Sequence, residues 1–324
     1  MAVTTRSQIP REVSNYYDRT LLLRVVPRFI HLRWAQMRDI PRNGGTNTIK
    51  FRRYSNLAPA MTPLTEGVTP AGSQLSVTDI TATVSQYGDY ITGSDVVQYE
   101  TEDPILTETA SILGDQASDT LDELTRDILV AGTNVFYAGT AVSRVTVAST
   151  DLIDATVIKK VVRLMKNNKA RKMLEMLDAT TGISTTPINS CYIALVHPNT
   201  TFGLKALTAT GFIPVEKYAS QKNVMDGEIG AIDEVRFVES TNCKIFAGAG
   251  AGGIDVYATI VLADQAYGAT RITGEGLKNI VHPLGSAGTA DALDQRWTSG
   301  WKSTFVAKIL NDAFLVRIEH AVSA

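Results

Sequence analysis

Three consecutive segments decide the architecture of this chain: Thr46-Asn47-Thr48-Ile49-Lys50-Phe51-Arg52-Arg53-Tyr54, then Pro59-Ala60-Met61-Thr62-Pro63-Leu64-Thr65-Glu66-Gly67-Val68-Thr69-Pro70-Ala71-Gly72, then a return segment over residues 77–87. The first alternates apolar and polar residues with the period of a strand. The last alternates again, with Ile80, Ala82 and Val84 on one face and Thr81, Thr83 and Ser85 on the other. The middle is rich in Pro, Gly and Thr, which interrupt regular structure and favour turns. Residues 44–92 therefore predict a long hairpin. A two-stranded hairpin is marginal in water on its own, and this composition is too ordered for a linker. The hairpin must lie on something else, and a neighbouring subunit is the natural support. The chain reads as a building block of an assembly.

Charge is distributed unevenly around this hairpin. Residues 1–53 carry eleven Lys and Arg against three Asp and Glu, a net of +8, whereas residues 54–132 carry one basic residue, Arg126, against thirteen acidic ones, a net of −12. Neighbouring segments of opposite sign face different partners or each other. On the basic side, residues 1–45 read as an arm, with a short amphipathic helix over 21–37 interrupted near Pro27 and interleaved with Arg24, Arg28, Arg33 and Arg38. These arginines suit DNA phosphates, a membrane surface or an acidic neighbour. The neighbour is preferred, because the same chain supplies a matching acidic hairpin and helix.

On the acidic side stands the clearest helix. Asp103 suits the N-cap and Pro104 the first helical position. Leu113, Ala117, Leu121, Leu124 and Ile128 recur at helical spacing, Asp115, Asp119, Asp122 and Glu123 take the other faces, and Gly132 ends the run. A helix over 103–132 would be about 40 Å long, a backbone for something broad and flat. Beyond it the pattern predicts strand-like residues 133–149 and a second, basic helix capped by Thr150 or Asp151 and running to about Leu177. A buried strand over 191–196 follows, then a short helix over 199–207, strands over 227–238 and 255–262, and a loop over 285–292. The chain closes on a terminal hairpin, with Trp301, Ser303, Phe305, Ala307 and Ile309 going out, Asn311-Asp312 turning, and Phe314, Val316 and Ile318 returning. Strands and helices mix without a βαβ rhythm, which predicts an α+β fold.

The length of 324 residues allows two domains or one large one with extensions, and the 44% hydrophobic content supports a sizeable core. The N-terminus shows no signal-peptide apolar region and no run reaches the ~18–20 apolar residues of a membrane span. Cys191 and Cys243 read as two buried free thiols, consistent with a reducing compartment. Candidate chemistry is thin. Gly248-Ala249-Gly250-Ala251-Gly252-Gly253 matches the dinucleotide fingerprint in letters, but a strand pattern follows it where that motif needs a helix. His31, His197, His282 and His320 have no metal-ligand or nucleophile spacing. The basic face over 159–172 reads as solvated surface rather than a nucleic-acid contact. No catalytic residue, metal ligand or cofactor site is expected, and no enzyme activity.

The blocks Ile49-Lys50-Phe51-Arg52-Arg53-Tyr54-Ser55-Asn56-Leu57, Thr62-Pro63-Leu64-Thr65-Glu66-Gly67-Val68-Thr69-Pro70 and Ala82-Thr83-Val84-Ser85-Gln86-Tyr87-Gly88 resemble major capsid proteins of tailed phages in the N-four-like podovirus group. Leu129-Val130-Ala131-Gly132-Thr133, Val196-His197-Pro198, Gly253-Ile254-Asp255-Val256-Tyr257 and Gln295-Arg296-Trp297-Thr298-Ser299-Gly300-Trp301-Lys302 continue the likeness over most of the chain. The resemblance implies the Hong Kong 97-like fold. Its parts would be an N-terminal arm at 1–45, an E-loop at 46–98, a P-domain at 99–149 with a spine helix at 103–132, an A-domain at 150–285, and a P-domain return hairpin at 286–324. It also implies a coat protein that self-assembles, in the cytoplasm of a bacterial host, into the icosahedral virion shell around double-stranded DNA. The partners it implies are copies of itself in pentamers and hexamers, portal, scaffolding and decoration proteins, and packaged DNA through non-specific contact, with no membrane. Residues expected at contacts between subunits are Arg24, Arg28, Arg33, Arg38, Arg52, Arg53, Pro63, Leu64, Glu66, Val68, Asp115, Asp119 and Asp122.

Some relatives weld their shells through an E-loop lysine. This chain has no lysine between Lys50 and Lys159, so its shell is expected to be non-covalent. Fused self-scaffolding through a long N-terminal segment is not expected, which leaves room for a separate scaffold protein. A nanocompartment shell holding enzymes shares the fold and is the alternative. A DNA-binding module acting through the basic arm, or a soluble enzyme with a dimerisation hairpin, ranks below both.

Overall fold

The computed structural model describes residues 30–42, 46–100, 105–174, 176, 188–218, 224–286 and 291–323, with the side chains of 98–100, 105 and 106 excepted. The strands are β1 (Gln36–Ile40), β2 (Thr48–Tyr54), β3 (Val77–Thr83), β4 (Ser85–Ser94), β5 (Val135–Tyr137), β6 (Tyr192–Val196), β7 (Ile213–Pro214), β8 (Glu228–Ile232), β9 (Val235–Glu239), β10 (Ile245–Phe246), β11 (Val256–Leu262), β12 (Tyr267–Ile272), β13 (Lys278–His282), β14 (Arg296–Ile309) and β15 (Leu315–His320). The helices are α1 (Asp95–Glu100), α2 (Ile105–Val130), α3 (Ala155–Asn167) and α4 (Pro198–Ala206). This is an α+β fold, as the mixed pattern predicts.

Three sheets organise the chain. The largest has eight strands in the order β5-β15-β11-β6-β9-β8-β7, with β10 beside β11. Its central strand β6 is buried on both faces, so it reads as a continuous apolar run rather than an alternation. Tyr192, Ala194 and Val196 face a cluster with Ile158, Val161, Val162 and Met165 of α3. Ile193 and Leu195 face the opposite cluster, with Leu129 and Val130 at the end of α2 and Ile260, Leu262 and Leu315 from neighbouring strands. Each Val, Leu, Ile or Met among them contributes about 1.5–3 kcal/mol when fully buried.

The second sheet joins β1, β4, β12, β13 and β14. β12 and β13 run one after the other antiparallel to β14, and β4 pairs with β14 over ten residues, from Ser85↔Phe305 to Ser94↔Arg296. The 26-residue α2 lies along this sheet. At 1.5 Å per residue it is about 39 Å long. Leu113 and Ala117 pack on Trp301, then Leu121, Leu124 and Ile128 on Phe305, Ala307 and Ala269. One helix thus carries both large sheets, because its apolar stripe runs along the five-stranded sheet and ends, at Leu129 and Val130, in the core of the eight-stranded one. The third sheet is the two-stranded hairpin β2-β3.

Several expectations are corrected. The pattern at the end of the chain does make two strands, but they do not form a hairpin. β14 pairs with β4, β12 and β13, while β15 crosses into the eight-stranded sheet between β11 and β5. The residues over 133–149 contain the three-residue β5, followed by turns and a short 3-10 helix at Arg144–Thr146. Asp154, not Thr150 or Asp151, caps α3 by accepting a hydrogen bond from the Val157 N–H at 2.8 Å. Asp151 is occupied elsewhere, accepting from the Ala148 N–H at 2.9 Å. α3 stops at Asn167, and Lys169 takes a left-handed φ of 54°. Of the helix expected over 21–37, residues 30–37 instead form turns leading into β1, where parallel pairing with β12 replaces helical bonding. The rest of that helix, Asp103 and Pro104, and part of the 285–292 loop lie outside the described residues.

Candidate assembly interface

The hairpin is positioned by its root. β2 and β3 pair in register from Thr48↔Thr83 to Tyr54↔Val77, and the Ser55 N–H donates to the Ser76 carbonyl at 2.9 Å beyond the last rung. Ile49 and Phe51 share a face with Ile80 and Ala82, and Ala82 and Val84 are buried where β3 runs into β4. Phe51 reaches the body of the protein at Gly268. A Cβ there would lie 3.4 Å from the Phe51 ring and 3.1 Å from both Leu310 and the Gln36 carbonyl. On the other face, Arg52 donates through Nε and a terminal nitrogen to the two Asp79 oxygens at 3.0 and 3.3 Å. These hydrogen bonds hold the Asp79 carboxyl below its ordinary range, although full exposure screens the pair.

Past the last rung the chain leaves all sheet structure. A turn closes at the tip, with the Val68 N–H donating to the Thr65 carbonyl at 3.2 Å and Gly67 at φ 76°, a conformation that favours glycine. Leu57, Met61, Leu64, Val68 and Leu75 are all exposed, Met61 at 86% and Leu64 at 79%. Pro59, Pro63 and Pro70 restrict the backbone in advance. A concentration of apolar side chains on an extended segment, with none of the described residues beneath it, marks an interaction surface.

The support for this arm is rigid. The Gln116 amide of α2 accepts from the Trp301 Nε1–H at 3.1 Å and donates to Asp89 of β4 at 2.7 Å, so the helix, β14 and β4 are tied at one point. The bond from Gln116, with one from the Tyr90 N–H, lowers the pKa of Asp89. A second polar knot fixes the chain entering β1. Asp122 accepts from the His31 N–H at 2.7 Å, lies 2.8 Å from His31 Nδ1 and 3.3 Å from the Asn242 amide, and the Tyr267 hydroxyl donates to the His31 carbonyl at 2.5 Å.

The residues expected at subunit contacts therefore divide. Pro63, Leu64, Glu66 and Val68 sit together at the exposed tip; Arg38 and Arg53 are exposed in the lining of one cleft beside β2, and Arg52, also in it, is paired with Asp79. Arg33 lies 5.5 Å from the Trp34 ring centre. Arg24 and Arg28 lie outside the described residues. Asp115 is half-buried on α2. Asp122 is corrected: it is 1% exposed and serves the chain's own His31, closed to any neighbour. Asp119 likewise accepts from the Asn242 amide at 2.7 Å. Sequence reasoning missed β13, whose five residues are all exposed, Ile280 and Val281 among them. Its β-branched pair between Lys278 and His282 was the available signal. The glycine run at 248–253 forms a short turn between β10 and β11, and no helix follows it. The four histidines take separate positions: His31 against Asp122, His197 at the cap of α4, His282 exposed at the end of β13, and His320 buried in β15.

An extended two-stranded arm, a long helix under a sheet containing the longest strand, and a second, helix-covered sheet together make the Hong Kong 97-like fold of phage capsid subunits. The structure is similar to the capsid of Ralstonia phage GP4, with a TM-score of 0.70 at 14% identity over 100% of this chain and 99% of that one. It is also similar to the capsid of cyanophage P-SCSP1u (0.69, 13% identity, 97% and 94% covered) and to the head of Helicobacter pylori bacteriophage KHP40 (0.66, 10% identity, 99% of each). In sequence, the chain is similar to the major capsid protein of Pseudomonas phage KPP21, 28% identical over 206 residues. That match spans 57% of this chain and 51% of the relative, about half its length. No protein-family profile matches the chain.

Proposed function

We propose that this chain is the major capsid protein of a tailed phage, and that copies of it tile a closed icosahedral shell around double-stranded DNA. The observation that carries the reading is the hairpin tip: a row of exposed apolar side chains held away from the body, on a fold matched end to end by phage capsid subunits. Exposed apolar surface of this kind is stabilised by burial against another molecule, and a subunit offering different surfaces on each side forms repeating, ring-closing contacts. The arm, residues 46–98, would act as the E-loop. The sheet with β14 and α2 would act as the peripheral domain, and the eight-stranded sheet as the axial one, with β15 returning to the latter. Pentamers and hexamers, assembly in a host cytoplasm, and portal, scaffolding or decoration partners belong to the same reading. A nanocompartment shell is disfavoured by the relatives, which are phage capsids.

Electron microscopy of the purified chain tests this directly. Uniform shells tens of nanometres across are expected, and a population of small oligomers would refute it. Deleting residues 59–72 should give folded subunits that fail to close. Shells boiled in denaturing detergent should run as the 35.0 kDa chain. A ladder of welded multiples would refute the non-covalent shell expected from the lysine-free hairpin.

A further inference from the structure

A cleft of about 320 Å³ opens at the root of the hairpin, between β2 and the turn after β14. Half-buried Phe51, Leu310 and Phe314 supply apolar lining, and exposed Arg38, Lys50 and Arg53 supply positive charge. Arg52, also at the cleft, is neutralised by Asp79. The other three cations have no ion pair among the described residues, whereas Arg42, Arg271 and Lys278 nearby all do. Among the described residues the site thus combines a half-buried apolar wall with three positive charges outside any ion pair, and calls for an apolar segment carrying a carboxylate.

The chain contains such a segment. Residues 55–76 hold one charged side chain, Glu66, flanked at two positions on either side by Leu64 and Val68. The turn at Thr65 and Val68 displays all three, and all are exposed. The tip does not meet this cleft within its own chain: on the hairpin the cleft is lined by Ile49 to Arg53 and Ile80, and no tip residue lines it.

We propose that Leu64, Glu66 and Val68 of one copy seat in the root cleft of the next copy, with Glu66 against the Arg38, Lys50 and Arg53 cluster and the aliphatic side chains against Phe51, Leu310 and Phe314. The pairing rests on the shell reading and names the receptor for the tip within it. Tip and cleft are different surfaces of one subunit, so the contact is head-to-tail and closes only as a ring. Packaged DNA is the competing occupant of the cations. A phosphate backbone would satisfy the charges but leave both the apolar wall and the apolar tip uncovered, so the observations favour a second copy.

The test uses the full chain. Glu66→Cys combined with Arg53→Cys, joined by a short bis-maleimide in assembled particles, should give a denaturing-gel ladder of chain multiples. Either single variant should run as monomer, since Cys191 and Cys243 are buried. In parallel, Glu66→Lys alone and Arg53→Glu alone should lose shells while keeping the parent's melting temperature, and combining them should restore shells. Particles that form without any ladder, or single reversals that assemble normally, would overturn the pairing and leave the shell reading standing. An Arg53→Glu variant that closes normally but retains less DNA would assign the cleft to nucleic acid and overturn it too. If the unaltered chain forms no shells, the shell reading itself falls, and the pairing with it.

Discussion

Strands β6 and β2 are both short and rich in apolar residues, yet all five residues of β6 are buried and none of β2 is. β6 has a hydrogen-bonded neighbour on each edge, β11 and β9, and a packed cluster on each face. β2 has one neighbour, β3, and among the described residues meets the body through Phe51. The difference teaches where each region finds its stability. The eight-stranded sheet is complete within one chain. The hairpin has the hydrogen bonds of a sheet and the exposed side chains of an interface, so its energetic partner lies outside the described residues.

The largest expected effect lies in the complete region. Arg236 and Glu228 form a buried pair, with Glu228 also accepting from the Tyr218 hydroxyl at 2.7 Å. Arg236→Met leaves that carboxylate buried and unpaired, and should cost the unassembled subunit about 3–5 kcal/mol in denaturant unfolding. Next, Leu195→Ala should cost about 2–5 kcal/mol, while Leu64→Ala should leave subunit stability within about 0.5 kcal/mol and lower shell yield instead. Equal effects of the two leucine truncations on subunit unfolding would break the comparison.

A pH titration sharpens it further. His320 is buried, its Nδ1 2.8 Å from the Ala321 carbonyl and its Nε2 3.0 Å from the Thr259 hydroxyl. The carbonyl can only accept, so Nδ1 carries the proton of the neutral ring. Burial lowers the pKa from 6.5 to about 4. Between those values the unfolded chain binds a proton that the folded chain refuses. Stability is therefore full above about pH 6.5 and lost as pH falls toward 4, at no more than about 1.4 kcal/mol per pH unit. His320→Gln should flatten that slope in melts at pH 7 and pH 5, with no change in how the hairpin responds. The smallest effect belongs to the exposed Arg52 and Asp79 pair. Asp79→Asn should leave subunit melting unchanged and alter only the salt concentration at which shells dissociate, because exposed pairs are screened.

The hairpin, α2 and β6 were legible in the sequence for different reasons: period-two alternation around a Pro/Gly/Thr tip, period-3.6 spacing of Leu113 through Ile128, and an unbroken apolar run. Alternation tells which residues share a face but not which strand lies alongside. Residues 301–318 could therefore be assigned as strands while their partners, in two different sheets, could not. The same limit applies at the interface. Apolar side chains between prolines, with no core beneath, mark Leu64 and Val68 directly. Asp122 carries no such mark, because its burial is decided by His31 and Asn242, 91 and 120 positions away. The cleft beside β2 was equally hidden, since it forms only where β2, β1 and the turn after β14 converge.

One residue, Val84, separates β3 from β4, and it is buried, with its N–H donating to the Asn47 carbonyl at 2.9 Å. The hairpin is therefore no tether on a hinge but a cantilever whose beam continues into the ten-residue clamp between β4 and β14. A load at the tip passes along β3 into β4, then through Asp89 and Gln116 into the 26-residue α2. Strain imposed on the arm is delivered to the long helix before any loop can absorb it, and in the proposed shell this would share pressure from within across neighbours.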